Sequence, residues 1–276
     1  MKIGIAGLGL IGGSIARALS ENGSHEILGL DRNRSSLLAA KMVGAISGEL
    51  NEENIGECEM IFIALYPEAT VEFVQKYASK IRKGAIVSDC GGVKRKICAV
   101  CEKLAEENGF IFIGAHPMAG TQFSGFNSSR GNLCKNATVI VTPKENTDIR
   151  TLEKLKNVLN DAGFGAINFT TPEEHDKVIA FTSQLPHIIS NAYVKSQTAV
   201  KQKGFSAGSY RDMTRVSKLN EKMWTELFFE NKDNLCGEID FLVERLQEYS
   251  AALKANDKEA LVELLKEGTD SKKQAK

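Results

Sequence analysis

The chain carries no surplus of charge: 35 Lys and Arg residues balance 35 Asp and Glu, for a formal charge of zero. A general basic surface for nucleic acid or anionic lipid is therefore not expected. No apolar run approaches the roughly 18 residues that a membrane-crossing helix needs. Met1 leads straight into an apolar segment in place of a charged and then apolar leader, so the expectation is a protein of the cytoplasm. Cysteines are few and unevenly spaced, and Cys58, Cys90, Cys98, Cys101, Cys134 and Cys236 make no disulfide framework of the secreted kind. Cys98 and Cys101 lack a second pair to complete four zinc ligands and fall in a stretch that reads as helix, so no metal site is expected. Internal repeats and low-complexity segments are also missing.

What remains is ordinary globular material. A content of 42% hydrophobic and 25% charged residues lies far from that of disordered chains. At roughly 150 residues per domain, 276 residues make about two domains. Short β-branched runs at 2–6, 27–30, 60–65, 85–88, 110–113, 138–141 and 166–169 alternate with helical spacing at 14–22, 35–43, 69–81, 93–108 and 149–162. Such alternation implies a parallel sheet covered on both faces. After Thr171-Pro172 the pattern changes, and from 173 to 266 apolar residues recur only at helical spacing. The chain thus divides into residues 1–170 and 171–276, with Pro172 in the first turn of the next helix and Glu173 and Glu174 at its positive end. Pro186 is expected to kink that helix, and the polar stretch 268–276 to fray.

The first strand runs into Gly7-Leu8-Gly9-Leu10-Ile11-Gly12-Gly13, a G-x-G-x-x-G sequence at a strand-to-helix turn, and Asp31 follows about 20 residues later. Gly7 permits the tight turn, Gly9 lets the backbone approach a pyrophosphate, and Gly12 allows helix and strand to pack closely. The free N–H groups of the helix start, around Leu10 and Ile11, meet the phosphates. Asp31 is placed to hold the adenosine ribose hydroxyls and favours NAD over NADP, while Arg32 and Arg34 beside it leave room for a 2′-phosphate.

Beyond the strand ending at 113, Gly114-Ala115-His116-Pro117-Met118-Ala119-Gly120-Thr121 reads as a loop at the carboxyl edge of the sheet, where open α/β folds bind ligands. A histidine there suits a general base that takes a proton from a substrate hydroxyl. In the helical half His175 and Asp176 fall in a first turn and are expected to be exposed or capping. Arg211, Asp212 and Arg215 either pair on a helix face or present an arginine to a carboxylate.

Taken together, these motifs resemble the prephenate dehydrogenase family. The resemblance rests on the Gly7 to Gly13 loop with Asp31, Ala64-Leu65-Tyr66-Pro67, Ser88-Asp89-Cys90-Gly91-Gly92-Val93-Lys94, His116-Pro117-Met118-Ala119-Gly120, Ser183-Gln184-Leu185-Pro186-His187, and Arg211-Asp212-Met213-Thr214-Arg215 with Trp224 beyond. It implies an α/β fold in which a Rossmann-type doubly wound sheet binding NAD is followed by an all-helical substrate and dimerisation domain. It also implies oxidative decarboxylation of prephenate to 4-hydroxyphenylpyruvate with hydride transfer to NAD, in a homodimer. By the same resemblance His116 is the catalytic histidine and Arg215 holds a substrate carboxylate. His187, Gln184, Trp224 and Gln122 line the substrate pocket, and Leu65, Pro67, Gly91 and Arg32 join the glycine loop around the cofactor.

Three positions depart from the family pattern. Gly92 stands where many relatives have a serine near the catalytic histidine, Gln184 where many have a histidine, and Gln122 where an acid is common. Arogenate in place of prephenate is the alternative substrate, and a dinucleotide sensor without catalysis is the alternative outside enzymes. About 100 residues follow the boundary at 170, so neither a C-terminal regulatory domain nor a fused chorismate mutase is expected.

Overall fold

A computed structural model describes residues 1–121 and 123–274, and Gln122 therefore lies outside the described residues. Eight strands, β1 (Lys2–Ala6), β2 (Glu26–Leu30), β3 (Gly48–Glu49), β4 (Met60–Ile63), β5 (Ile86–Asp89), β6 (Ile111–Pro117), β7 (Thr138–Thr142) and β8 (Ala166–Phe169), form one sheet in the order β3-β2-β1-β4-β5-β6-β7-β8. Every residue of β4 and β5 is buried, as expected of strands covered on both faces. The covering helices are α1 (Leu10–Asn22), α2 (Arg34–Met42), α3 (Pro67–Tyr77), α4 (Arg95–Asn108) and α5 (Ile149–Asp161). Two apolar clusters fill the layers, one around Ile3, Ile5, Phe62 and Val139 and the other around Ile61, Ile63, Val87 and Phe112.

The order places β1 between β2 and β4, so the chain reverses direction of travel there and opens a crevice at the carboxyl ends of these strands. Three features differ from the sequence expectation, the first being the unexpected two-residue edge strand β3, paired with β2. The pairing of β6 with β7 is antiparallel, within a sheet whose other pairs are parallel. Its cause is the link between them, which among the described residues contains a single 3₁₀ turn (Phe126–Ser128) and no crossover helix to return the chain to the same end. In addition β6 does not stop at Ile113. It continues through His116, opposite Ile140, to Pro117, opposite Val139. Gly114 reads as a turn residue in sequence but serves close packing: a Cβ there would lie 2.4 Å from the Thr142 hydroxyl and 2.7 Å from the Cys98 sulfur.

The remaining chain is helical: α6 (Pro172–Ile179), a π turn (Ala180–Gln184), α7 (Leu185–Tyr193), α8 (Gly208–Thr214), α9 (Glu221–Glu230), α10 (Lys232–Lys254) and α11 (Lys258–Gln274). Thr171 caps α6 by accepting from the Glu174 N–H at 3.2 Å, with Pro172 in the first turn. Pro186 sits in the first turn of α7, directly after the widened π turn. The expected fray after 268 is absent as far as Gln274. Exposed α11 has no buried residue and is continued by its own backbone bonds and by side-chain pairs such as Lys273 with Asp270 at 2.8 Å. Among the described residues no helix is long and apolar enough to cross a membrane, and no group of three or more His, Cys, Asp or Glu is arranged to hold a metal ion. Cys98 and Cys101 are free and buried, and burial pushes both thiols up to about 12.

Candidate active site

Gly7 ends β1 with φ +90°, a conformation that a side chain would strain, and a Cβ on it would lie 2.4 Å from the Ala64 carbonyl oxygen. A Cβ on Gly12 would lie 1.9 Å from the Gly7 carbonyl oxygen, so helix α1 approaches the turn as closely as backbone allows. Gly9 differs: a Cβ there would meet nothing within 4 Å. It is the N-cap of α1, no side chain caps the helix, and the N–H groups of the first turn around Leu10 and Ile11 face this open space. The cradle thus fits a pyrophosphate.

Asp31 at the end of β2 braces the loop, its Oδ2 accepting from the Leu8 N–H at 2.7 Å and its Oδ1 from the Asn33 N–H at 2.7 Å. Arg32 is exposed beside it. Arg34 is turned away to Glu49, with two contacts of 2.8 Å, and Lys41 joins the same carboxylate at 3.1 Å. Of the two arginines placed to receive a 2′-phosphate, Arg34 is thereby engaged elsewhere and Arg32 is exposed. From the next strand, Leu65 packs against Gly7 and Pro67 opens α3.

At the end of β5 a buried carboxylate ties two segments together. Asp89 accepts from the Gly91 N–H at 2.8 Å, from the Ala115 N–H of β6 at 3.3 Å, and from the Lys94 ammonium. Both Asp89 and Lys94 are 0 % exposed. A Cβ on Gly91 would come within 2.9 Å of the Asp89 carboxylate, so glycine is the residue that fits there.

His116 lies one strand over. Its Nδ1 is 2.9 Å from Nε2 of His175, whose Nδ1 is 2.7 Å from Oδ1 of Asp176. Asp176 Oδ1 also accepts from the Lys94 N–H at 2.7 Å, and Oδ2 accepts from the Arg95 N–H at 2.9 Å. The expectation that His175 and Asp176 are exposed is corrected: they are 2 % and 0 % exposed and stand directly behind His116. Burial, helped by the nearby His175 and the Lys94 charge, holds His116 well below its ordinary value, so its ring is neutral near pH 7. Burial likewise lowers His175, outweighing the bond to Asp176. For Asp176 burial acts upward, but the bonds from His175 and the two backbone N–H groups prevail and lower it.

The other nitrogen of His116 faces Gly92, where a Cβ would lie 4.0 Å from Nε2. That Cβ would also touch Leu227 of α9 at 3.4 Å. One turn earlier on α9, Trp224 packs against His187 in a tilted pair, with ring centroids 4.0 Å apart. His187 Nδ1 donates to the Val216 carbonyl at 3.1 Å, which leaves its Nε2 as the acceptor. Burial lowers His187, and the Arg215 charge nearby adds to this. Arg215 itself is exposed, as are Arg211 and Asp212.

The structure thus groups His116 with Gly92, and His187 with Trp224 and Arg215. Gln184 stands apart in role. It is buried, its Nε2 donating to the Leu227 carbonyl at 3.1 Å and its Oε1 accepting from Asn231 at 2.8 Å. Asn231 also donates to the Asp176 carbonyl at 2.7 Å, so this amide pair joins α6, α9 and α10 behind the site. Sequence reasoning missed His175, Asp176 and Asn231. A signal existed for the first two: they precede buried Ile179 and Ala180 by four residues and so share the inward face of the helix.

Two family models match the chain, "prephenate dehydrogenase, nucleotide-binding domain" over residues 15–167 and "prephenate dehydrogenase, dimerization domain" over residues 171–267. The chain belongs to the prephenate dehydrogenase family. It is 30% identical to a prephenate dehydrogenase of Bacillus subtilis over 275 residues, which span 96% of this chain and 74% of that protein. A solved prephenate dehydrogenase structure from A. aeolicus, in complex with hydroxyphenyl propionate and NAD+, superimposes with a TM-score of 0.87 at 30% identity, covering 100% of this chain and 98% of that one. An arogenate dehydrogenase from Synechocystis superimposes with a TM-score of 0.83 at 26% identity, covering all of both chains. The α/β fold with a helical second half expected from the sequence is the fold of this family.

Proposed function

We propose that this member of the prephenate dehydrogenase family oxidatively decarboxylates prephenate to 4-hydroxyphenylpyruvate, using NAD, in tyrosine biosynthesis. The observation that carries the reading is a half-buried, neutral histidine, His116, whose free nitrogen faces Gly92 at the carboxyl edge of the sheet. NAD, when bound along the Gly7–Gly12 cradle, supplies the hydride acceptor. Asp31 holds its ribose, with Leu10, Ile11, Leu65, Pro67 and Gly91 around it and exposed Arg32 at the rim. The engagement of Arg34 by Glu49 favours NAD over NADP.

In this reading His116 Nε2 takes the proton of the ring hydroxyl as the hydride departs from the same carbon. The carboxylate on the opposite ring carbon then leaves as carbon dioxide, and its bonding pair enters the ring and makes it aromatic. The phenolate oxygen needs a proton at that point, and the imidazolium of His116 stands ready to return it. No net proton is consumed. Arg215 receives a substrate carboxylate, and His187 with Trp224 walls the ring. Gln184, with its amide engaged by Leu227 and Asn231, supports this wall from behind. The division at residue 170 belongs to the same reading, as does a homodimer through the helical half, where Phe229, Phe241 and Leu246 are exposed. We place the protein in the cytoplasm, where a reducing milieu keeps its six free cysteines as thiols.

The likeness to an arogenate dehydrogenase supports the second reading, in which an amino acid replaces the keto acid side chain. Initial rates of NAD and NADP reduction with prephenate and with arogenate test both. Fast turnover of prephenate with NAD is expected. Preference for arogenate selects the second reading, and no turnover with any pair refutes both.

A further inference from the structure

We infer that His175 and Asp176 are positioning residues that hold His116 in the one tautomer able to act as a base, with Nδ1 protonated and Nε2 bare. The inference rests on the proposed role of His116 and adds residues to which that role assigns nothing.

The argument runs from the buried end outward. Asp176 receives backbone N–H donors on both oxygens, from Lys94 on Oδ1 and from Arg95 on Oδ2. These two donors favour the ionised form and hold the group below the ordinary carboxylate range, so it is a carboxylate, which only accepts. His175 Nδ1 must therefore carry a hydrogen. A buried neutral imidazole protonated at Nδ1 has a bare Nε2, and this atom faces His116 Nδ1 at 2.9 Å. Two bare nitrogens do not meet at that distance, so His116 Nδ1 carries the hydrogen and donates it. The remaining nitrogen, Nε2, is left as an acceptor on the Gly92 side.

The charges around the relay agree with this order. Lys94 and Asp89 neutralise each other on the β5 and β6 side, Arg95 faces Asp176 from α4, and the other two members of the relay are neutral rings. Gly92 has no side chain that bonds to Nε2, so among the described residues the ring is held from its Nδ1 side. When His116 gains a proton, its Nδ1–H remains on His175 and the positive charge is stabilised by the Asp176 carboxylate two bonds away. The logic is that of a buried acid fixing a histidine through its rear nitrogen, extended by one imidazole.

The test uses His175→Leu, which removes the acceptor, and His175→Gln, whose side-chain oxygen can face His116 Nδ1. In His175→Leu kcat should fall about 10- to 100-fold, as expected when a base loses its orientation, with KM for both substrates unchanged. In His175→Gln much of the rate should return, which a merely structural role for His175 would not produce. Nitrogen-15 spectra of the histidines in the unmodified protein should show His116 protonated at Nδ1 and bare at Nε2, whether or not either variant folds. A protonated Nε2 there, or an unchanged kcat in His175→Leu while His116→Asn abolishes turnover, overturns the inference. Full activity in His116→Asn would instead refute the proposed role of His116 and the inference with it.

Discussion

Lys94 and Asp89 form an ion pair with no solvent access, and its disruption should be the costliest single change near the site that leaves the shape of the pocket intact. In Lys94→Met the apolar stem is replaced almost atom for atom, and the backbone N–H that Lys94 donates to Asp176 is retained. Asp89 keeps the N–H groups of Gly91 and Ala115 but loses its cation. Breaking a buried pair by removing one partner costs about 3–5 kcal/mol. The two retained donors favour the lower end, so about 3 kcal/mol is expected. In a chain of this size that corresponds to a fall in Tm of about 6 °C. A double variant, Lys94→Met with Asp89→Asn, removes the orphaned charge and leaves one acceptor for the two N–H groups. It should cost less than the sum of the single changes by about 2 kcal/mol, measured by urea unfolding of all four proteins. Additive effects, or a Lys94→Met protein within 1 kcal/mol of the parent, would show that the pair is not buried as described.

The remaining predictions concern the loops and the histidines. Gly9→Ala should fold normally and raise KM for NAD at least about tenfold, because its Cβ enters space that is free in the protein alone; Gly12→Ala should disrupt the loop itself, seen as lost thermal stability without ligand. Arg215→Ala should raise KM for the dicarboxylate substrate more than it lowers kcat, and the reverse pattern in steady-state kinetics would reassign its role. The values of His116 and His175 lie below the ordinary 6.5, so the unfolded chain binds protons first on acidification. Stability is then complete above about pH 6.5 and declines as pH falls below it, with a slope of at most about 1.4 kcal/mol per pH unit for each ring. Denaturation midpoints that rise on going from pH 6.5 to pH 5.5 would contradict this sign. The acid limb of kcat/KM should likewise fall below pH 6.5.

Local features were the legible ones. The cradle from Gly7 to Gly12 and Asp31 could be read in sequence because a strand-to-helix turn is decided by backbone sterics within a few residues. The strands around it were legible because continuous apolar runs have few other uses. The far end of β6 was not, since Gly114 marks contact with Thr142 and Cys98, and such packing demands leave the same letter as a turn. The pair His175-Asp176 looked like the polar start of an exposed helix, and only the meeting of α6 with β6, 59 residues away in the chain, turns it inward. Gln184 was assigned to the substrate wall by family likeness, yet its partners, Leu227 on α9 and Asn231 between α9 and α10, are linked to it by no local pattern.

Helix α9 touches both halves of the crevice at once. Trp224 stands beside His187, Leu227 lies over Gly92, and the Glu226 carboxylate accepts the Glu68 N–H at the start of α3 at 2.5 Å. A rod anchored at these points has little freedom to answer one ligand without being felt by the other. In the proposed reading the cofactor settles against residues 65–67 and 91–92 and the substrate against Trp224, so both ligands meet the same helix. Thermodynamic linkage makes any such effect mutual, each ligand changing the affinity of the other by the same factor.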